Sequence, residues 1–200
     1  MKTENTRYGA YAFIIAGIYF LLAEFVSAVS TGLPLFKVYT QNTISALGVP
    51  GYISPIDWLM NSGFIILGIL LIIGCHMGLN SKFEKWKMLE YALAVITALG
   101  LFVIAFIHAG DPIHQIGALM AIAGGSFMLM TIAVSLKASK SYKTASFILG
   151  LAAIVFLIVM IIFMGNRGLE IIEAVPERIS VYALILWSLL TGFYLLREEN

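Results

Sequence analysis

Charged residues and cysteine are scarce in this 200-residue chain. Only 12% of the residues are charged, 60% are hydrophobic and one is cysteine. A soluble domain is about 25% charged, and a chain of this size cannot bury so large an apolar excess in its own core. The scarcity of charge excludes a soluble globular protein and predicts an integral membrane protein. The single cysteine, Cys75, excludes an internal disulfide and a thiolate metal cluster.

Long linkers, low-complexity tracts and internal repeats are also missing. We therefore expect one domain covering residues 1–200. The lack of a repeat gives no support to a transporter built from inverted repeats. A net charge of +1 gives no sign of nucleic-acid binding.

Long apolar runs are abundant, and the mean hydropathy is +0.96. A membrane-spanning helix needs about 20 mostly apolar residues. The runs 11–30, 58–77, 88–107, 117–136, 144–164 and 179–196 meet this requirement. The first run is longer than the core of a signal peptide, so we expect it to be a true span. The predicted fold is an all-α bundle of six transmembrane helices.

Lysine and arginine are distributed unevenly between the ends of these spans. Nine lie at the ends that include both chain termini, and three lie at the opposite ends. Basic residues favour the cytoplasmic side, so both termini are expected in the cytoplasm. No Asn-x-Ser/Thr acceptor occurs in the outer segments 31–57, 108–114 and 165–178, which fits a multi-pass protein of a prokaryotic plasma membrane.

Polar and ionisable residues gather at the outer ends of the predicted spans. Such side chains are expensive in lipid unless they have partners, water or a function. They predict one polar cavity that opens outward. The candidate site residues are Glu24, Asn42, Ser45, Asn61, His108, Asp111, His114, Glu177 and Arg178.

Glu24 is the strongest single clue, because it lies inside the first span, seven residues before Thr31. We expect Arg178 to be its partner, since the last span begins at the same level. The pair either takes part in function or only orients the first and last helices.

The stretch HAGDPIHQ, residues 108–115, places two histidines and an aspartate between two apolar runs. His108, Asp111 and His114 have ligand types that suit catalytic zinc, but their spacing is no recognised zinc signature. Histidine also suits proton transfer or simply ends a helix. A ligand that contacts these histidines should bind differently across about pH 5–8.

Ser45 and Ser54 lie in the first outer segment, where a hydroxyl beside a histidine suits a nucleophile. Neither lies in a Gly-x-Ser-x-Gly elbow. The alternative is that both serines form turns.

Five stretches, taken together, resemble the Domain of Unknown Function 998 family of small prokaryotic membrane proteins. The resemblance implies a six-helix membrane domain and shared polar positions, but no activity or cofactor. One departure is Ala46, where the family often has an acid. The matching stretches are LLAEFVSA (21–28), NTISALG (42–48), SPIDWLMN (54–61), HQIGALMAIAGG (114–125) and ERISVYALILWSLLTG (177–192).

Three classes of function remain open. The first is an intramembrane enzyme or binder that acts on a lipid or other amphiphile. There His114 would be the base, Glu24 or Asp111 would orient it, and Arg178 would hold an anionic headgroup. The second is a non-catalytic accessory or sensor protein, in which the polar residues are fully paired and no cavity exists. The third is transport of a small solute or proton, which requires polar residues continuing towards the cytoplasm.

Overall fold

The computed structural model describes residues 2–164 and 174–198. Arg167 and the rest of 165–173, most of the expected third outer segment, lie outside the described residues. Within the described part the chain is helical, and no strand is formed. Six helices of this described part are long and apolar enough to cross a membrane, as expected. The helices are α1 (Lys2–Ser30), α2 (Leu35–Gln41), α3 (Ile44–Leu47), α4 (Asp57–Gly74), α5 (Lys87–Phe106), α6 (Pro112–Ser135), α7 (Lys140–Met164) and α8 (Ala174–Glu198).

The six long helices form a closed ring in chain order. Each packs against the helices that precede and follow it among the six, and α8 closes the ring against α1. Large apolar side chains remain exposed on all six, as expected of helices whose outer faces contact lipid. We call the end where α1 finishes and α4 begins the loop end, and the opposite end, with Lys87 and Lys140, the lysine-rich end.

α4 continues beyond Gly74 into a short π-helix, Cys75–Leu79, and a 3-10 turn, Asn80–Lys82. The π-helix brings Gly78 against Gly9 of α1. A Cβ atom on Gly9 would lie 2.2 Å from the Gly78 nitrogen, so these two backbones touch directly. The extension therefore depends on glycine at both positions.

α6 begins five residues earlier than the sequence predicts, at Pro112 rather than at residue 117. The Asp111 side chain accepts a 2.8 Å hydrogen bond from the Ile113 amide and caps the helix. Proline is favoured at the first helical position because its missing N–H is not needed there. The expectation that His114 lies in the break between two helices is therefore wrong, since His114 belongs to the first turn of α6.

α8 also begins earlier than predicted, at Ala174 rather than at residue 179. Glu177 and Arg178 are therefore helical and face their partners from a rigid element. The first outer segment, expected as a loop, contains the two short helices α2 and α3.

Small residues let α5 and α6 approach closely. A Cβ atom on Gly100 would lie 2.4 Å from the Ala121 nitrogen and 2.6 Å from the Gly117 oxygen. The spacing of Gly117 and Ala121 predicts this close contact, and the structure confirms it.

Gly100→Ala is expected to destabilise the bundle by roughly 1–3 kcal/mol, because the new methyl group meets backbone that cannot rotate away. Unfolding in a denaturing-detergent titration measures the loss. Gly125→Ala is the matched control, since its Cβ atom would make ordinary contact with Leu184 at 3.6 Å. Equal losses in the two variants would contradict this account of α5–α6 packing.

Candidate functional site

A buried ion pair joins α1 to α8 at the loop end. The Arg178 Nε atom donates to Glu24 Oε1 at 3.0 Å, and the two side chains are 5% and 1% exposed. The Tyr182 hydroxyl donates to the other carboxylate oxygen, Oε2, at 2.7 Å. The expected partnership of Glu24 with Arg178 is confirmed, and both carboxylate oxygens are hydrogen-bonded.

The remaining contacts of Arg178 lie in the first outer segment and in the first turn of its own helix, α8. Its Nη1 atom donates to the Asn42 carbonyl at 2.6 Å and lies 3.4 Å from the Ala174 carbonyl. Its guanidinium carbon lies 4.8 Å from the centre of the Tyr39 ring. Burial, and secondarily the Glu24 carboxylate, raises the pKa of Tyr39, so the ring that faces Arg178 is a neutral phenol. The buried Nη2 atom has no hydrogen-bond partner within the described residues.

Glu177, the neighbour of Arg178, caps the short helix α3. Its Oε2 atom accepts from the Ile44 amide at 2.6 Å, and its Oε1 atom accepts from the Ser45 amide at 3.3 Å and the Ser45 hydroxyl at 3.0 Å. Thr43 Oγ1 accepts from the Ala46 amide at 3.1 Å. The first three amides of α3 therefore have side-chain acceptors, which fixes this helix against α8.

His114 is 6% exposed in the first turn of α6. Its Nδ1 atom lies 2.6 Å from the Ile107 carbonyl oxygen. Because a carbonyl only accepts, Nδ1 carries the proton, and in a neutral ring Nε2 is then an acceptor. The hydrogen bond thus fixes both the tautomer and the ring orientation.

The expected hydrogen bond between His114 and Glu24 or Asp111 is absent from the described residues. Glu24 is committed to α8, and Asp111 is exposed and caps α6. His108 is half-buried and does not line the cavity described below. Across residues 2–164 and 174–198, no group of three His, Cys, Asp or Glu side chains is placed to hold a metal ion.

The two candidate asparagines hold backbone in place. Asn61 Nδ2 donates to the Gly48 carbonyl at 2.9 Å and ties α4 to the end of α3. Asn42 contributes its carbonyl oxygen to Arg178. Neither asparagine lines the cavity, so both are positioned to support the loop end.

A cavity of about 670 Å³ lies between the loop end, α6 and α7. One part of its wall is polar and brings together side chains from the first outer segment, α6 and α8. These polar residues are Thr43, Ser45, His114, Gln115 and Glu177. Among the predicted candidates, Ser45, His114 and Glu177 therefore share a cavity.

The other part of the cavity wall is apolar. It is formed by Ala118 and Leu119 of α6 and by Leu157, Met160 and Ile161 of α7. Leu119 and Ile161 are 50% and 52% exposed on the outer face of the bundle. The apolar wall therefore reaches the surface that contacts lipid.

A smaller cavity of about 30 Å³ lies deeper, at the centre of the ring. It shares Ser45, Ala118 and Glu177 with the large cavity, and Ser126 and Ser180 also line it. A volume of this size has room for one or two water molecules. The polar wall of the large cavity thus adjoins a narrow extension into the bundle.

A separate polar cluster lies at the lysine-rich end, where sequence reasoning expects no inward-facing cluster. Glu90 is 2% exposed and accepts hydrogen bonds from the Ser135 hydroxyl at 2.6 Å and the Thr131 hydroxyl at 3.2 Å. Glu90 lies in the first turn of α5, where the helix dipole favours an acidic side chain. The two hydroxyl donors and the helix dipole therefore explain why a carboxylate is buried at this position.

Tyr182 completes the hydrogen bonding of Glu24 and is not among the site residues predicted from the sequence. Arg178 and Tyr182 are four residues apart and lie on the same face of α8, which is a detectable signal. Leu157 and Met160 are different, because they resemble any other apolar residues of α7. No sequence signal marks them as cavity residues.

Comparison with known protein families gives a match over most of the chain. The model of a family described as "Protein of unknown function (DUF998)" matches residues 14–194. No curated protein and no solved structure matches the chain.

Arg178→Gln is expected to destabilise the protein by about 3–5 kcal/mol, because it leaves the Glu24 carboxylate buried without its cation. The double variant Glu24→Gln/Arg178→Gln should lose less than Arg178→Gln alone, since no uncompensated charge remains. Unfolding of the three proteins in detergent measures both effects.

Lys82→Gln is the control for this cycle. Lys82 pairs with Glu198 at the lysine-rich end, where the two side chains are 22% and 39% exposed. An exposed pair contributes less than about 1 kcal/mol, so this variant should unfold nearly as the unmodified protein does. A double variant less stable than Arg178→Gln would show that the pair is not the source of the loss.

Proposed function

We propose that this membrane protein, which belongs to the DUF998 family of proteins of unknown function, binds a lipid or related amphiphile. The polar part of the ligand lies among Ser45, His114 and Glu177. The apolar chain lies between α6 and α7.

The division of the cavity wall into polar and apolar parts carries this proposal. Polar side chains line the part of the cavity next to α3 and α8, while Leu119, Leu157 and Ile161 line the part that reaches lipid. An amphiphile satisfies both surfaces at once. A small polar solute would leave the apolar part in contact with water.

The size and access of the cavity agree with such a ligand. Its volume of about 670 Å³ falls within the range of about 300–1,000 Å³ typical of small-molecule sites. Because Leu119 and Ile161 are half-exposed on the outer face, a lipid can enter sideways from the bilayer. Entry through the aqueous phase is unnecessary.

The loop end, in this proposal, faces away from the cytoplasm of a prokaryotic cell. The support is the uneven distribution of basic residues along the sequence, nine near the lysine-rich end and chain termini against three in the expected outer segments. The cavity would then take its ligand from the outer leaflet of the plasma membrane.

Cysteine labelling in intact cells tests this orientation. In a Cys75→Ala background, Tyr52→Cys at the exposed loop end should react with a membrane-impermeant maleimide. Lys85→Cys at the exposed lysine-rich end should react only after the membrane is permeabilised. The reverse pattern would place the cavity on the cytoplasmic side.

Photocrosslinking tests the binding itself. The probe is 1-palmitoylglycerol with a diazirine in the middle of its acyl chain, added to the protein in lipid nanodiscs. Crosslinks should map by mass spectrometry to α6 and α7 near Ala118 and Leu157. Ala118→Trp fills the cavity and should reduce these crosslinks by roughly tenfold, the effect of about 1.4 kcal/mol in binding.

Ala123→Trp is the matched control for the cavity-filling variant. Ala123 is also a half-buried alanine of α6, but it does not line the cavity. Its crosslinking should match that of the unmodified protein. Crosslinks spread evenly over the outer faces of all six helices would contradict the proposal.

A further inference from the structure

We infer that the bound amphiphile has a headgroup that donates hydrogen bonds, such as a hydroxyl or an amine, and that phosphate headgroups are disfavoured. This inference rests on the proposed binding function and specifies the ligand class. It follows from which polar atoms of the cavity wall accept hydrogen bonds and which donate them.

Glu177 supplies an acceptor and the formal charge of the wall. Both of its carboxylate oxygens already accept from backbone amides of α3. A carboxylate has about four acceptor positions. Three are used by Ile44 and Ser45, and Glu177 lines the cavity with one acceptor position unused by these contacts.

Ser45 and His114 present acceptors as well. The Ser45 hydroxyl donates its hydrogen to Glu177, so its oxygen offers lone pairs to the cavity. The Nδ1 proton of His114 is committed to the Ile107 carbonyl, so a neutral ring offers Nε2 as an acceptor. Three side chains from three elements thus present acceptors that suit donors on the ligand.

Arg178 is held away from the cavity wall. Its guanidinium contacts Glu24, Tyr39 and Asn42 and is not part of the cavity wall. The described wall contains no lysine or arginine, the residues that usually bind phosphate. The sequence-based expectation that Arg178 holds an anionic headgroup therefore lacks support from this geometry.

The two uncharged donors in the wall do not outweigh the acceptors of Glu177, Ser45 and His114. Gln115 has an amide that both donates and accepts, and Thr43 has one hydroxyl. A phosphate headgroup has only acceptors when fully ionised, and it would lie near the Glu177 carboxylate. An amine or a diol instead satisfies Glu177, Ser45 and His114.

A competition experiment with matched tails tests the inference. Hexadecylamine, 1-hexadecylglycerol and hexadecyl phosphate compete with the diazirine probe at about pH 8, where an ordinary imidazole is neutral. The amine and the glycerol ether should reduce crosslinking at α6 and α7 at concentrations about tenfold lower than the phosphate requires, the scale of one hydrogen bond to a charged group.

Two variants connect this selectivity to the wall. Glu177→Gln keeps the size of the side chain and should reduce the advantage of the amine over the phosphate. Gln115→Arg adds a cation at an exposed position of the wall. Its result can therefore be interpreted even if the variant of the buried Glu177 does not fold. Gln115→Arg should shift competition toward the phosphate by about tenfold.

Ile113→Arg is the control, since Ile113 is 50% exposed in the same helical turn and is not part of the cavity wall. It should leave the order of competitors unchanged. Crosslinks at α6 and α7 with the phosphate competing best would overturn the headgroup inference and leave amphiphile binding supported. Crosslinks absent from α6 and α7 in every case would overturn the binding proposal and the inference with it.

Discussion

The structure of the loop end depends on two adjacent residues of α8. Successive helical residues project about 100° apart, so Arg178 faces Glu24 of α1 while Glu177 faces α3. Lipid offers no hydrogen bonds, and a charge inside the bundle persists only with partners from the protein. Because each residue has such partners, one turn of α8 joins the first helix, the first outer segment and the cavity wall.

The position of the cavity follows from that turn. Arg178 holds the Asn42 carbonyl, and Glu177 holds the amides of Ile44 and Ser45. The chain between these contacts is short, so α3 has little freedom to move relative to α8. Ser45 is therefore held at the cavity wall by two independent attachments. The ion pair supports the site without being part of it.

Much of the fold could be predicted from the sequence because membrane burial depends on composition. The six spans and the Glu24–Arg178 pair follow from hydropathy and from the cost of an unpaired charge in lipid. Composition does not predict where each helix begins or which apolar residues of neighbouring helices line a cavity. The cap by Asp111 moves the start of α6 and turns His114 towards the cavity, and Leu157 lines it only because α6 and α7 are neighbours in the ring.

The hydrogen-bond partners of the polar residues distinguish those that support the structure from those that can contact a ligand. A purely static network requires every member to be paired and leaves no cavity. Glu24 and Tyr182 have such pairing, but His114 has one ring nitrogen committed to Ile107 and lines a cavity large enough for a ligand. A fixed imidazole tautomer at a polar wall suits recognition of a donor group, and it is also what proton abstraction from a bound hydroxyl requires. Binding is the common condition of both roles, because recognition and proton abstraction both act on a group held beside His114 in the cavity.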